Sequence, residues 1–71
     1  MDIPSNILMN IPRIKLKISA FIREQRVVTT SEIAAHLGVS WNTAEKYLLE
    51  LTIDRAVVRV KKDGVNLWLL D

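Results

Sequence analysis

The sequence predicts an α+β fold, mostly α, with three helices, a C-terminal β-hairpin and a short stretch available as a third strand. Three features carry this. Two short helical patterns meet at Gly38-Val39-Ser40, an Asp-Gly pair separates two strand-like runs near the C-terminus, and an apolar helical stripe precedes both. The chain has 71 residues, enough for one small domain and too few for a separate catalytic or sensing domain.

The first helix is expected to start at Asn10 or Ile11. Pro12 then falls in the opening turn, where its missing amide is not needed. Ile14, Ile18, Phe21 and Ile22 follow at i, i+4, i+7 and i+8, one apolar face of a helix running to about Gln25. Leu16 lies nearly opposite that face at roughly 100° per residue. Residues 1–10 read as an N-terminal extension, and residues 11–71 as the domain. Ile3, Ile7, Leu8 and Met9 supply more apolar side chains than a small core needs. Either this segment folds over Leu16 or the surface meets a second subunit; the second is favoured, because a symmetric dimer gains affinity by occupying two half-sites.

Val27-Val28-Thr29 is β-prone and precedes Thr30, the expected N-cap of the second helix. Ile33, Ala34 and Leu37 form that helix's apolar face. Gly38 stands where the helix must close in a left-handed conformation. Ser40 is a good N-cap for the third helix, since its hydroxyl can accept from an unpaired amide of the first turn. Ala44, Leu48 and Leu51 form the buried stripe of that helix. Ala34 and Ala44 are small where two helices approach closely. This is helix-turn-helix spacing.

Ala56 to Lys62 is a β-branched, alternating run, and Val65 to Leu70 is its partner. Asp63-Gly64 between them is a strong hairpin signal, because both turn positions need positive φ. A two-residue loop sets Lys62 opposite Val65, Lys61 opposite Asn66 and Arg59 opposite Trp68. Arg59 and Lys61 then share a face with Trp68, and an Arg59–Trp68 cation–π stack becomes available.

Helix, turn, helix, then a hairpin with a basic tip resembles the winged helix-turn-helix family of DNA-binding domains, small transcriptional regulators among them. The resemblance covers Ile11 to Leu70. It implies that the third helix enters the major groove and that the hairpin is a wing on the backbone or in the minor groove. Asn42, Thr43 and Lys46 on the outer face of the first two turns are then the base readers. Asn pairs with adenine, Thr meets a polar edge or a thymine methyl, and Lys reaches guanine or phosphate. Ser31 and Ser40 open their helices at the backbone. Trp41 either packs on the second helix or lies against sugar and phosphate, and Tyr47 packs its ring and offers its hydroxyl to a phosphate. Arg59, Lys61 and Lys62 are the wing's cations. On the simpler alternative, these are ordinary solvated residues, with Lys and Arg protecting a sheet edge.

The implied partner is double-stranded DNA, bound by a homodimer at an inverted repeat with half-sites about one helical turn apart. Repression by occluding a promoter is the simplest mechanism for so short a chain. The expected placement is cytoplasmic, at the nucleoid, with no membrane partner, cofactor, metal or small-molecule ligand. A winged-helix protein-interaction module in a larger assembly is the alternative. Leu49 and Ile53 favour it, standing where this family usually carries charge, as do Leu16 and the acidic Glu45, Glu50 and Asp54 on the third helix. Asp54-Arg55 replaces a glycine common after that helix, so one of them is expected to turn left-handed or the helix to end differently.

Composition narrows the classes further. Net charge is +2, compatible with nucleic acid without demanding it. The basic residues of the first helix region (Arg13, Lys15, Lys17, Arg23 and Arg26) scatter around the helix and form no stripe. Apolar content of 49% supports a packed core. No cysteine is present, so disulfides and thiolate metal sites are excluded. His36, with Glu32 one turn away, offers two ligands, too few for a metal site. Gly38 and Gly64 are the only glycines, which excludes a phosphate-cradling loop. An enzyme is therefore not expected.

Overall fold

A computed structural model of the protein describes residues 13–71. The expected N-terminal extension, and a helix start at Asn10 or Ile11, lie outside these residues. The elements run α1 (Arg13–Gln25), β1 (Val28–Thr29), α2 (Thr30–Leu37), α3 (Trp41–Ile53), β2 (Val57–Lys62) and β3 (Val65–Leu70). This is the winged helix-turn-helix arrangement that the sequence predicts.

The apolar stripe of α1 points inward. Ile18 and Ile22 are fully buried, Ile14 and Phe21 half-buried, and Leu16 on the far side is 55% exposed. The helix closes through Arg26, whose φ is 76° and whose amide donates to the Ile22 carbonyl at 2.7 Å.

The N-cap of α2 is Thr29, one residue earlier than expected. The reason is Glu32, which sits three residues after Thr29 and completes a capping box. The Glu32 amide donates to Thr29 Oγ1 at 3.1 Å, and the Thr29 amide donates to Glu32 Oε1 at 2.8 Å. This shift frees the Thr30 side chain to turn inward, where the residue is buried. Gly38, at φ 70°, ends α2 with the Val39 amide donating to the Ala34 carbonyl at 3.0 Å.

Ser40 caps α3 as expected, its Oγ accepting from the Thr43 amide at 3.2 Å. The far end of α3 repeats the closure seen in α2. The Ala56 amide reaches the Leu51 carbonyl at 2.9 Å, and Arg55 takes the left-handed position at φ 63° that Gly38 takes in α2. An arginine tolerates that conformation at a cost of about 1 kcal/mol.

The sheet is antiparallel with order β1-β3-β2, so Val28–Thr29 is the third strand. Asp63 and Gly64 both have positive φ, 53° and 80°, which fixes the two-residue turn. The register sets Lys62 against Val65, Lys61 against Asn66 and Arg59 against Trp68.

Trp68, at 0% exposure, is the largest side chain of the core. Around it pack Ile18 and Ile22 of α1, Ile33 of α2, Ala44 and Leu48 of α3, Val28 of β1 and Val57 of β2. The stack of Arg59 on Trp68 that the register makes available does not form. The indole lies inside, whereas Arg59 on the edge strand is exposed. Trp68 Nε1 instead donates to Thr30 Oγ1 at 2.8 Å. The Thr30 hydroxyl in turn donates to Glu45 Oε1 at 2.9 Å, and Asn66 Nδ2 stands 3.5 Å from Glu45 Oε2.

On the surface, Lys15 of α1 reaches Glu50 at 3.1 Å and Asp54 at 3.5 Å, tying α1 to the end of α3. The hydrogen bond to Glu50 and the charge of Asp54 hold the Lys15 ammonium above its ordinary pKa of 10.5, against an opposing effect of desolvation.

Two outcomes follow for stability. Thr30→Val keeps the shape but strands the Trp68 donor, and costs about 1–3 kcal/mol in urea unfolding, whereas Ser31→Ala on the exposed side stays within about 0.5 kcal/mol. The raised folded-state pKa of Lys15 stabilises fully below the unfolded lysine value and is lost as pH rises through the folded value. Lys15→Met is therefore less stable than wild type at neutral pH, and the gap narrows in strongly alkaline titration.

Candidate nucleic-acid interface

Helix α3 divides its exposed face lengthwise. Its first two turns present Asn42 and Lys46, both exposed, with Thr43 half-buried beside them. Thr43 is partly committed to the cap, since Ser40 Oγ donates to its Oγ1 at 2.9 Å. Its last two turns present Leu49 and Ile53, the latter 80% exposed. One face thus carries polar side chains at its start and aliphatic side chains at its end.

The start of α3 adjoins an open cleft of about 340 Å³. Three elements meet there. Thr29 to Ser31 come from the opening of α2, Trp41 from the opening of α3, and Lys61 with Gly64 to Asn66 from the wing tip. Ser31 and Lys61 are the hydrogen-bonding and cationic groups expected of a backbone contact, and the cleft brings them together across the turn of the hairpin. Trp41 lines the same cleft, 48% exposed and outside the core.

The other expected residues are distributed differently. Tyr47 is half-buried and packs its ring against the core. Lys62 is exposed, but alternation along β2 turns it to the opposite sheet face from Lys61, and it does not line the cleft. Arg59 lies at the far end of the same strand. It borders a second groove with Leu49, Ile53, Arg55 and Val58. Of the three wing cations, only Lys61 reaches the cleft.

Asn66 was not among the expected site residues. The one sequence signal for it is its register opposite Lys61, which places it beside the wing tip. Glu45, counted from sequence as an unfavourable acid on the reading helix, turns its carboxylate inward to Thr30 and Asn66. Glu50 of α3 and Asp54, which caps the helix's end, face Lys15. All three carboxylates are thus engaged within the fold.

His36 is exposed yet not isolated, its ring stacked on Phe21 of α1 at a centroid separation of 4.0 Å. Glu32, its neighbour one turn away, is held by the Thr29 cap. Among the described residues no group of three or more His, Cys, Asp or Glu could hold a metal. No helix among them is long and apolar enough to cross a membrane.

Comparison with known proteins follows the same architecture. A family model described as FaeA-like protein matches residues 6–71. The crystal structure of the Zα domain of Carassius auratus PKZ in complex with Z-DNA superposes with a TM-score of 0.77 at 22% identity, covering 83% of this chain and 94% of that domain. An apo structure of a Lactococcus lactis ZitR mutant superposes with a TM-score of 0.76 at 23% identity over 94% of this chain. The present chain spans about half of ZitR, 52% of its length. No curated protein matches the sequence.

The two tryptophans test the geometry of the cleft directly. A Trp41→Phe variant, emitting only from Trp68, should fluoresce at short wavelength and resist acrylamide. A Trp68→Phe variant, emitting from Trp41, should be red-shifted and readily quenched. Equal quenching of the two would contradict the placement.

Proposed function

The chain belongs to the FaeA-like protein family, and from that premise we propose that it binds double-stranded DNA sequence-specifically and acts as a transcriptional regulator. Asn42, Thr43 and Lys46 read base edges in the major groove. Ser31, Ser40, Trp41 and Tyr47 contact the sugar–phosphate backbone, and Lys61 holds it from the wing. Lys62 and Arg59 add diffuse attraction from the wing's other surfaces.

The observation that carries this reading is the cleft shared by α2, α3 and the wing. A helix start, an exposed indole and a lysine converge on one edge, beside the polar half of the α3 face. Phosphate contact and base contact are therefore available at the same time from one rigid body. The inward turn of Glu45 supports it too, since that carboxylate is engaged inside the fold. The Carassius auratus domain, bound to Z-DNA, supports a nucleic-acid ligand for a fold of this shape.

The regulator acts as a homodimer on an inverted repeat, with exposed Leu16 and the apolar residues of the N-terminal sequence as the dimer surface. Repression by occluding a promoter requires binding alone, and we favour it over activation. The cytoplasm, at the nucleoid, is the compartment this function requires.

A second reading has an observation of its own. Leu49, Ile53 and Val58 form an aliphatic groove edged by Arg55 and Arg59, suited to a protein partner. A protein-interaction module would use that groove and leave the cleft unoccupied.

Selection from random duplexes across a salt series separates the readings. The regulator enriches a two-fold symmetric site. Lys46→Ala relaxes preference at one base position by about 1–3 kcal/mol. Lys61→Ala weakens binding to all sequences and reduces the salt slope by about 1, whereas Lys62→Ala changes it less. Absence of duplex binding even at low salt removes the regulator reading in favour of the protein module.

A further inference from the structure

We propose that Glu45 is a positioning residue for the DNA face, fixing the wing to the reading helix so that Lys61 and Lys46 stand at a set separation. This rests on the DNA-binding reading above. Glu45 lies on α3 next to Lys46 and is half-buried. Its two carboxylate oxygens serve two different elements. Oε1 accepts from Thr30 Oγ1 of α2 at 2.9 Å, and Oε2 faces Asn66 Nδ2 of β3 at 3.5 Å. Asn66 in turn pairs in register with Lys61. A displacement of Asn66 therefore moves Lys61, the wing cation that lines the cleft.

The donors on either side explain why an acid stands here. The Thr30 hydroxyl already accepts from Trp68 Nε1 at 2.8 Å, so its own proton must find an acceptor. The Asn66 amide brings a second donor to the same space. A carboxylate has acceptor oxygens for both, and an alanine has none. A carboxylate on a helix that meets phosphates otherwise repels them. Its inward commitment gives it a role that this repulsion would not favour.

Glu45→Gln and Glu45→Ala isolate the effect, because both remove the charge equally. Gln can still accept from Thr30 and, with the Asn66 amide turned over, bond to it. Ala breaks both links. Both variants should bind random duplex alike, slightly more tightly than wild type, with equal salt slopes. Glu45→Ala should lose about tenfold in discrimination between selected and random duplex relative to Glu45→Gln. Without DNA, 15N relaxation and amide exchange should show the wing, residues 61–66, loosened in Glu45→Ala and unchanged in Glu45→Gln. Asn66→Ala, which leaves Thr30 and Glu45 joined, should reproduce the loosening, and it stands in if Glu45→Ala does not fold. Equal discrimination by the two Glu45 variants, or a wing undisturbed in Glu45→Ala and Asn66→Ala, overturns the proposal. Failure of the wild type to bind duplex at low salt is a separate result: it removes the DNA reading, and the relaxation data alone then decide whether Glu45 holds the wing.

Discussion

A single buried donor organises this small domain. Trp68 supplies the largest apolar surface of the core, and burying it takes the indole N–H out of water as well. Left unpaired there, that donor would cost about 1–3 kcal/mol. Thr30 accepts it, and only because the helix cap falls on Thr29 does Thr30 face inward. Its hydroxyl then needs an acceptor, which Glu45 of α3 provides, and the second oxygen of Glu45 turns toward Asn66 on the wing. Satisfying one N–H thus links the sheet, α2 and α3. Chained hydrogen bonds of this kind reinforce one another in a low-dielectric interior. The apolar core fixes the fold, whereas this polar chain ties α3 to α2 and to the sheet.

Much of the architecture was legible in the residues. The stripe Ile14, Ile18, Phe21 and Ile22 gave α1 its face and its end at Gln25. Gly38 and Ser40 marked the turn, and Asp63-Gly64 set the hairpin register to the residue. These are local signals, each determined by backbone sterics or by a side chain within one turn. What sequence could not supply was long-range pairing. Thr29 and Thr30 look alike as caps, and Glu32 decides between them only when the box is considered as a unit. Arg59 and Trp68 are correctly paired across the strands, but which of them is interior depends on α1 and α3 packing over β3. The same applies to the site. The exposed face of α3 follows from helical period, whereas the meeting of Ser31, Trp41 and Lys61 around one cleft depends on how the hairpin folds back. The inward turn of Glu45 depends on donors 15 and 21 residues away.

The division of the α3 face has a physical consequence for function. Its polar start lies beside the cleft and the wing tip, and its aliphatic end lies beside the base of the wing with Val58 and Arg59. Val58 and Val60 on the outer sheet face are also exposed. Apolar side chains gathered on one surface are unfavourable in water and generally mark contact with another macromolecule. DNA reading at one end and protein contact at the other are spatially compatible, since the two surfaces share a helix without overlapping. Net charge of only +2 gives no broad basic field, so under the proposed DNA binding the affinity rests on a few positioned groups.

DNA contact at the cleft and the start of α3 can be mapped residue by residue by titrating 15N-labelled protein with a selected duplex and following amide shifts. Large shifts are expected on Ser31, on residues 41–46 and on residues 61–66, diminishing with added salt. Shifts centred on Leu49, Ile53 and Val58, or none at low salt, would contradict that contact.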